Sequence, residues 1–117
     1  MATEKFSGDR SNVTYTGGAG VNDNDVVIQT GDVSSFDTFM LMSTAGVFDV
    51  FVSLDGTNYA TAALSLADLG STATAPVIVS VAGRVYGFRG TYKAIRVLQN
   101  GATAVANASL VASRATK

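Results

Sequence analysis

The feature that most constrains the fold of this chain is a period of two in the apolar residues of several short runs. In residues 47–54 an apolar side chain occupies every second position, while Asp49 and Ser53 lie between them. A period of two is typical of a β-strand with one buried face. The pairs Asp55-Gly56 and Asn100-Gly101 are hairpin signals, because both residue types tolerate positive φ. The pattern therefore predicts strands and turns rather than helices.

Similar runs recur along the chain at intervals of about 8–12 residues, which is typical of a sandwich or barrel. The predicted strands are residues 26–30, 36–42, 47–54, 58–64, 76–81, 84–88, 91–99 and 103–113. Residues 62–69 read as the end of a strand followed by a short turn. We predict an all-β protein, an antiparallel β-sandwich with an extended N-terminal arm. The pattern leaves jelly-roll-like and immunoglobulin-like topologies both open.

Residues 1–24 differ from the rest in being polar and rich in glycine. Few apolar groups are available there to offset the entropy of ordering the chain. We therefore predict a flexible N-terminal arm over residues 1–24, with at most one short strand at 13–16, and one sandwich domain over 25–117. The first ten residues have mixed charge and no apolar run, so we expect no signal peptide. The most apolar windows, residues 46–54 and 75–82, are too short to span a bilayer, so we expect no membrane span.

Composition argues against an enzyme. The chain has no Cys and no His, so it lacks a thiol nucleophile and the commonest general base, and neither a Ser-His-Asp nor a Cys-His set is possible. Its acids fall at turn and polar positions, where a glycosidase-like carboxylate pair is not indicated. The Asn22-Asp23-Asn24-Asp25 segment offers oxygen ligands for Ca²⁺, but it lacks the ligand spacing of an EF-hand, and Asx turns have the same composition. We expect no cofactor and no metal.

Charge is distributed unevenly. All nine acidic residues lie in residues 1–68, whereas six of the eight basic residues lie in residues 69–117. Such a split can steer head-to-tail association of subunits or docking on a charged partner. Alternatively, the two halves interleave in one sandwich and their charges mix on its surface. Only 15% of the residues are charged, which suits a protein packed against neighbours as well as a plain stable monomer.

Residues 84–93 interleave basic and aromatic side chains, and this segment supplies most of the candidate partner contacts. Aromatic rings here can stack on bases or sugars, or can belong to the core. Val85 and Arg89 depart from the RNA-recognition strand pattern, so we expect no direct binding to nucleic acid. The predicted partner-binding residues, including three from the arm, are Phe6, Arg10, Tyr15, Arg84, Tyr86, Arg89, Tyr92 and Lys93.

Two segments carry a family resemblance: the strand–turn–strand unit at residues 46–59 and the strand running into a turn at residues 90–101. With them, residues 36–106 resemble small virion structural proteins of tailed bacteriophages, most closely head decoration or cement proteins. The resemblance implies a non-enzymatic protein on the capsid exterior, made in the host cytoplasm. Its implied partners are the major capsid protein and further copies of itself, through homo-oligomer or lattice contacts, with no membrane contact.

Two other interpretations stay open. A receptor- or glycan-binding sandwich, on a phage tail or cell surface, predicts an exposed aromatic cluster at Tyr86 or Tyr92. A monomeric accessory domain without a ligand of its own predicts a single species in solution.

Overall fold

A computed structural model describes residues 12–17, 21–69, 77 and 80–114, together with the backbone of residues 3–6. The strands are β1 (Thr3–Phe6), β2 (Asn12–Thr16), β3 (Val26–Gln29), β4 (Thr38–Met42), β5 (Phe48–Ser53), β6 (Ala67–Asp68), β7 (Tyr86–Arg89), β8 (Ala94–Gln99) and β9 (Ser109–Ser113). None of the residues described forms a helix long and apolar enough to cross a membrane.

The strands form two antiparallel sheets that pack face to face, and the predicted β-sandwich is confirmed. The larger sheet has six strands in the order β1-β2-β9-β4-β7-β6, and the smaller has three in the order β3-β8-β5. Strands that follow one another in sequence often lie in different sheets, as β3, β4 and β5 do. Most of the order is therefore set by contacts distant in sequence.

The core lies between the two inner faces, and buried residues alternate with less buried ones most clearly in β4 and β9. Phe48 of the smaller sheet meets Tyr86 of the larger edge to face, with ring centroids 6.2 Å apart. Burying a side chain of this kind stabilises the fold by about 1.5–3 kcal/mol. The inward residues of the paired strands are Val13, Tyr15, Ile28, Phe39, Leu41, Phe48, Val50, Tyr86, Phe88, Ile95, Val97, Leu110 and Ala112.

The alternation in residues 47–54 is confirmed from Phe48 to Phe51 and fails at the end of the strand, where Ser53 is buried and Leu54 is 78% exposed. Phe48 and Val50 of β5 are fully buried, whereas Asp49 and Phe51 face outward and are half-buried. In β8, Ile95 and Val97 likewise point inward. The opposite side of these strands is the outer face of the smaller sheet.

The Asn100-Gly101 pair forms a turn but not the predicted hairpin. Strand β8 belongs to the smaller sheet and β9 to the larger, so the intervening residues cross between the sheets. Strand β9 consequently begins at Ser109, later than the predicted start at residue 103. A single β-bridge, between Ala45 and Ala106, holds the crossing segment.

The N-terminal segment also differs from expectation. The structure has two strands within residues 1–24, not at most one, and β2 pairs along its whole length with β9. Val13 and Tyr15 are buried because they face the core from β2. Strand β2 is thus part of the sandwich, although the sequence analysis assigns it to the arm.

The predicted strand at 58–64 is an irregular segment that covers the free edge of β5. It forms one bridge, between Tyr59 and Ser53, and the N–H groups of Ala60 and Leu64 donate to carbonyls of β5. Of the predicted strand at 76–81, Val77 forms a single bridge with Leu66, while residues 76, 78 and 79 lie outside the described residues. Residues 58–64, by covering the edge of β5, block the addition of a strand from another molecule.

Candidate functional site

Two of the predicted partner-binding residues are in the core. Tyr15 is 4% exposed and Tyr86 is 1% exposed, so neither presents its ring to a partner. The Tyr86 hydroxyl accepts a hydrogen bond from the backbone N–H of Val81 at 2.7 Å. The prediction for these two residues is wrong, because both rings fall on the inward side of the strand alternation.

The two candidates from the first ten residues are only partly placed. The backbone of Phe6 pairs with Val13 at the edge of the larger sheet. The side chain of Phe6 and all of Arg10 lie outside the described residues. Their role as partner contacts stays a prediction.

Arg84 and Lys93 form ion pairs with acids of the other half of the chain. The Arg84 Nε lies 2.7 Å from Asp68 Oδ2, and the Lys93 Nζ lies 2.9 Å from Asp32 Oδ2. Hydrogen bonds from Ser34 and Lys93 hold the pKa of Asp32 below its usual range. Acids of residues 1–68 thus meet bases of residues 69–117 within one sandwich, which favours the interleaved interpretation of the charge split.

Tyr92 and Arg89 are adjacent at one end of the larger sheet. The ring of Tyr92 packs beside Phe39 and Phe88, with centroid distances of 5.9 and 6.3 Å. Its hydroxyl donates to the Arg89 carbonyl at 2.9 Å, and burial raises the pKa of that hydroxyl. The side chain of Arg89 is exposed. Tyr92 is therefore half-buried and held, rather than free to stack on a ligand with its full face.

A shallow hollow of about 580 Å³ opens between Tyr92 and Tyr59, beside the turn after β5. The turn is built by Asp55, whose Oδ1 accepts hydrogen bonds from the N–H groups of Thr57 and Asn58 at 2.8 and 2.7 Å. These bonds lower the pKa of Asp55. Because the Asp55 carboxylate is already hydrogen-bonded within its own turn, the two tyrosine rings are the groups of the hollow that remain for contact with a ligand.

The outer face of the smaller sheet carries a stacked pair that the sequence analysis missed. The guanidinium carbon of Arg96 lies 3.9 Å from the ring centroid of Tyr59, a cation–π contact. In the strand register Arg96 stands between Gln29 and Phe51. The available signal was the alternation Ile95-Arg96-Val97, which places the arginine on the outward side.

The outer face of the larger sheet carries an apolar groove of about 460 Å³. Met40 and Leu69 line it with 40% and 53% of their surface exposed. The floor is Gly87, above which the Leu69 side chain lies so close that a Cβ on Gly87 would sit 3.0 Å from Leu69 Cδ1. Arg89 stands at its rim. The sequence analysis did not single out this groove, because Met40, Leu69 and Gly87 are far apart in sequence.

The acidic turn that was considered for calcium is held by its own backbone. Asp25 Oδ2 accepts hydrogen bonds from the N–H groups of Val21 and Asn22 at 3.0 and 2.8 Å, and these bonds lower its pKa. Asp23 Oδ1 accepts one from the N–H of Gly101 at 2.9 Å. Within the part of the chain that the structure describes, no three acidic side chains come close enough to hold a metal ion.

A solved protein structure has a fold similar to that of this chain. The fold is similar to that of the SPBc2 prophage-derived protein YomS, with a TM-score of 0.64. The alignment covers 86% of this chain and 91% of YomS, at 7% sequence identity. No family model matches the sequence, and no curated protein matches it. At this identity the likeness to YomS shows a shared fold, with both chains covered almost throughout.

Proposed function

We propose that this protein is a non-enzymatic structural protein of a bacteriophage virion, of the capsid decoration or cement type. It binds the outer surface of the capsid, contacts the major capsid protein, and is made in the host cytoplasm. The observation that supports the proposal is that each outer face of the sandwich carries a surface with the composition of a protein interface. One is the apolar groove at Met40 and Leu69, and the other surrounds Arg96.

Two opposite contact surfaces suit a protein that bridges neighbouring subunits. Apolar patches on a surface are typical of protein–protein interfaces, and arginine and tyrosine are enriched at the residues that dominate binding. A small chain that binds each copy weakly still stabilises a shell when many copies act together. Binding to the assembled state alone shifts the equilibrium toward that state.

The fold likeness and the sequence resemblance support the phage assignment from different directions. YomS is described as prophage-derived, and its fold matches this chain over most of both lengths. The strand–turn–strand unit at residues 46–59 and the strand running into a turn at residues 90–101 resemble virion structural proteins. The bridging role is supported by the geometry of the two outer faces.

The decisive experiment is to measure the copy number of this chain in purified particles. Gel densitometry and quantitative mass spectrometry give the ratio of this chain to the major capsid protein. Hundreds of copies per particle support a decoration or cement protein. A handful of copies contradicts that role and moves the protein to the tail or a fibre. Absence from particles overturns the virion proposal.

A second candidate is a glycan- or receptor-binding module, and the hollow between Tyr59 and Tyr92 favours it. Tyrosine rings that line a hollow can stack on sugars, although the buried Tyr86 cannot contribute. A glycan array separates the two functions. A specific sugar signal that Tyr92→Ala abolishes favours the glycan module, whereas no signal at millimolar sugar argues against it.

A further inference from the structure

Arg96 is the half-buried cation of the described residues that lacks a carboxylate partner. Arg84 and Lys93 are paired with Asp68 and Asp32, and Arg114 lies at the exposed end of β9. No carboxylate lies within 4 Å of the Arg96 guanidinium in the ranges the structure describes. A partly desolvated charge without a counter-charge is costly, so its position needs an explanation.

The guanidinium of Arg96 is fixed in position, but one of its N–H groups has no hydrogen-bond acceptor among the described residues. Tyr59 stacks against it at 3.9 Å, which fixes its plane. Its Nε is shielded from solvent and has no hydrogen-bond acceptor among the residues described. A buried N–H without an acceptor typically costs about 1–3 kcal/mol. The guanidinium is therefore fixed in position and keeps hydrogen-bonding capacity that no described residue uses.

The nearest outward-facing acid on the same sheet does not fill this role. Asp49 stands opposite Leu98, one position diagonal to Arg96 in the strand register. Its two carboxylate oxygens accept from the side-chain amide of Asn100, at 3.3 and 3.1 Å. Asp49 is thus turned toward the end of the strand and leaves Arg96 unneutralised.

The surface around Arg96 is apolar and aromatic. Val26 is 47% exposed and stands opposite Leu98, while Phe51 stands opposite Arg96. We define the Arg96 face as the outward residues of the smaller sheet together with Tyr59: Val26, Gln29, Asp49, Phe51, Tyr59, Arg96 and Leu98. An arginine within aromatic and aliphatic neighbours is the composition of an interface centre rather than of a solvated sheet face.

We propose that the Arg96 face binds a protein partner that inserts an aspartate or glutamate carboxylate against the Arg96 guanidinium. Through its two terminal nitrogens the planar guanidinium can donate two parallel hydrogen bonds to a carboxylate, while the buried Nε stays shielded. The apolar side chains beside Arg96 exclude water from such a pair. A flat strand face suits a protein surface, whereas a sugar acid is better held in a concave site. If the proposed function is right, on which the identity of this partner rests, that carboxylate belongs to the capsid.

The first test is binding of the purified chain to particles that lack it. Arg96→Gln is expected to weaken binding at least tenfold, whereas Arg114→Gln, with the same charge change at an exposed site, is expected to change it less than twofold. Arg96→Lys keeps the positive charge but loses the planar guanidinium that donates two parallel hydrogen bonds, so its affinity for particles is expected to lie between those of the other two variants. Urea unfolding of each variant shows that the loss is not one of folding. Equal binding by Arg96→Gln and Arg114→Gln overturns the inference and leaves the proposed function standing.

The second test needs no particle, so it separates failure of the inference from failure of the proposed function. The Nε–H signal of Arg96 in ¹⁵N-labelled protein is followed during titration with N-acetylglutamate and, separately, with N-acetylneuraminic acid. A saturable shift with N-acetylglutamate that Tyr59→Leu weakens supports the site. No shift overturns it, and a shift with the sugar acid alone overturns the protein partner.

Sedimentation velocity tests whether a second copy of the chain is the partner. A monomer at all concentrations supports a different protein as the partner. A dimer that Arg96→Gln dissociates, and Arg114→Gln does not, overturns that assignment in favour of a contact between copies.

Discussion

Replacing Gly46 with alanine tests how closely the crossing segment approaches β5. Gly46 has a φ of +80°, and a Cβ there would lie 2.7 Å from the Ala104 carbonyl oxygen and 2.8 Å from Val105 Cα. Both contacts are with backbone, which cannot rotate away as a side chain can. Gly83 provides a matched control, because its φ is +83° and nothing lies within 4 Å of its Cβ position.

The two substitutions share one cost and differ in another. Placing alanine in the left-handed region costs about 1 kcal/mol, and this applies at both positions. Forcing a methyl group against fixed backbone adds about 1–3 kcal/mol, as overpacking in cores does. We therefore expect Gly83→Ala to lower the free energy of unfolding by about 1 kcal/mol and Gly46→Ala by about 2–4 kcal/mol.

Urea unfolding followed by circular dichroism gives both values from the midpoint and slope of the transition. Gly31→Ala serves as a second control, since it has open space at Cβ and no positive φ, and it is expected to change stability by less than about 0.5 kcal/mol. If Gly46→Ala costs no more than Gly83→Ala, the crossing segment does not approach Gly46 as described, and the reasoning is refuted.

Three further predictions concern acid stability, a core hydroxyl and the groove. Stability is expected to fall below about pH 4, because the folded pKa values of three turn aspartates lie below the unfolded value of about 3.9. Their carboxylates stabilise the fold above the unfolded pKa, and this stabilisation is lost as the pH falls through the folded pKa values. Urea midpoints measured from pH 7 to pH 2 report the loss. The three aspartates are Asp25, Asp32 and Asp55. Tyr86→Phe removes the acceptor of the Val81 N–H and is expected to cost about 1 kcal/mol, read as a drop in thermal midpoint of about 4 °C; an unchanged midpoint contradicts the hydrogen bond. Leu41→Ala opens the core and is expected to cost about 2–5 kcal/mol, whereas Met40→Ser on the outer face changes the stability by less than about 0.5 kcal/mol and weakens particle binding.

The strands that the sequence predicts well are those whose two faces see different surroundings. In β5 and β8 one face meets the core and the other meets solvent, so the period of two is visible in the residues themselves. The predicted strand at 58–64 fails because its residues cover a sheet edge, a role that imposes no alternation. Strand β2 was assigned to the arm because five residues with two apolar side chains give a weak local signal.

For the candidate partner-binding residues too, the sequence pattern indicates some positions and strand pairing decides others. The run of residues 84–93 contains Arg89 and Tyr92, which lie close together at one end of the larger sheet, and their role as partner contacts stays a prediction. It misplaced Tyr86, because a basic and aromatic run does not say which of its rings faces the core. Arg96 and Tyr59 are 37 positions apart in sequence, and only the pairing of strands and the turn after β5 brings them into contact.

The sequence by itself determined that the chain is all-β, that Phe48 and Val50 share one side of β5 and Ile95 and Val97 one side of β8, and that the acids and bases fall in different halves. These are local properties, set by the alternation of side chains along an extended backbone and by turn residues. Only the tertiary structure decided which strands share a sheet, because the pairing of β2 with β9 and of β4 with β7 joins residues far apart along the chain. This strand pairing brings acids of the first half into ion pairs with bases of the second half and buries Tyr15 and Tyr86. It also leaves Arg96 on the outer face without a carboxylate partner among the described residues.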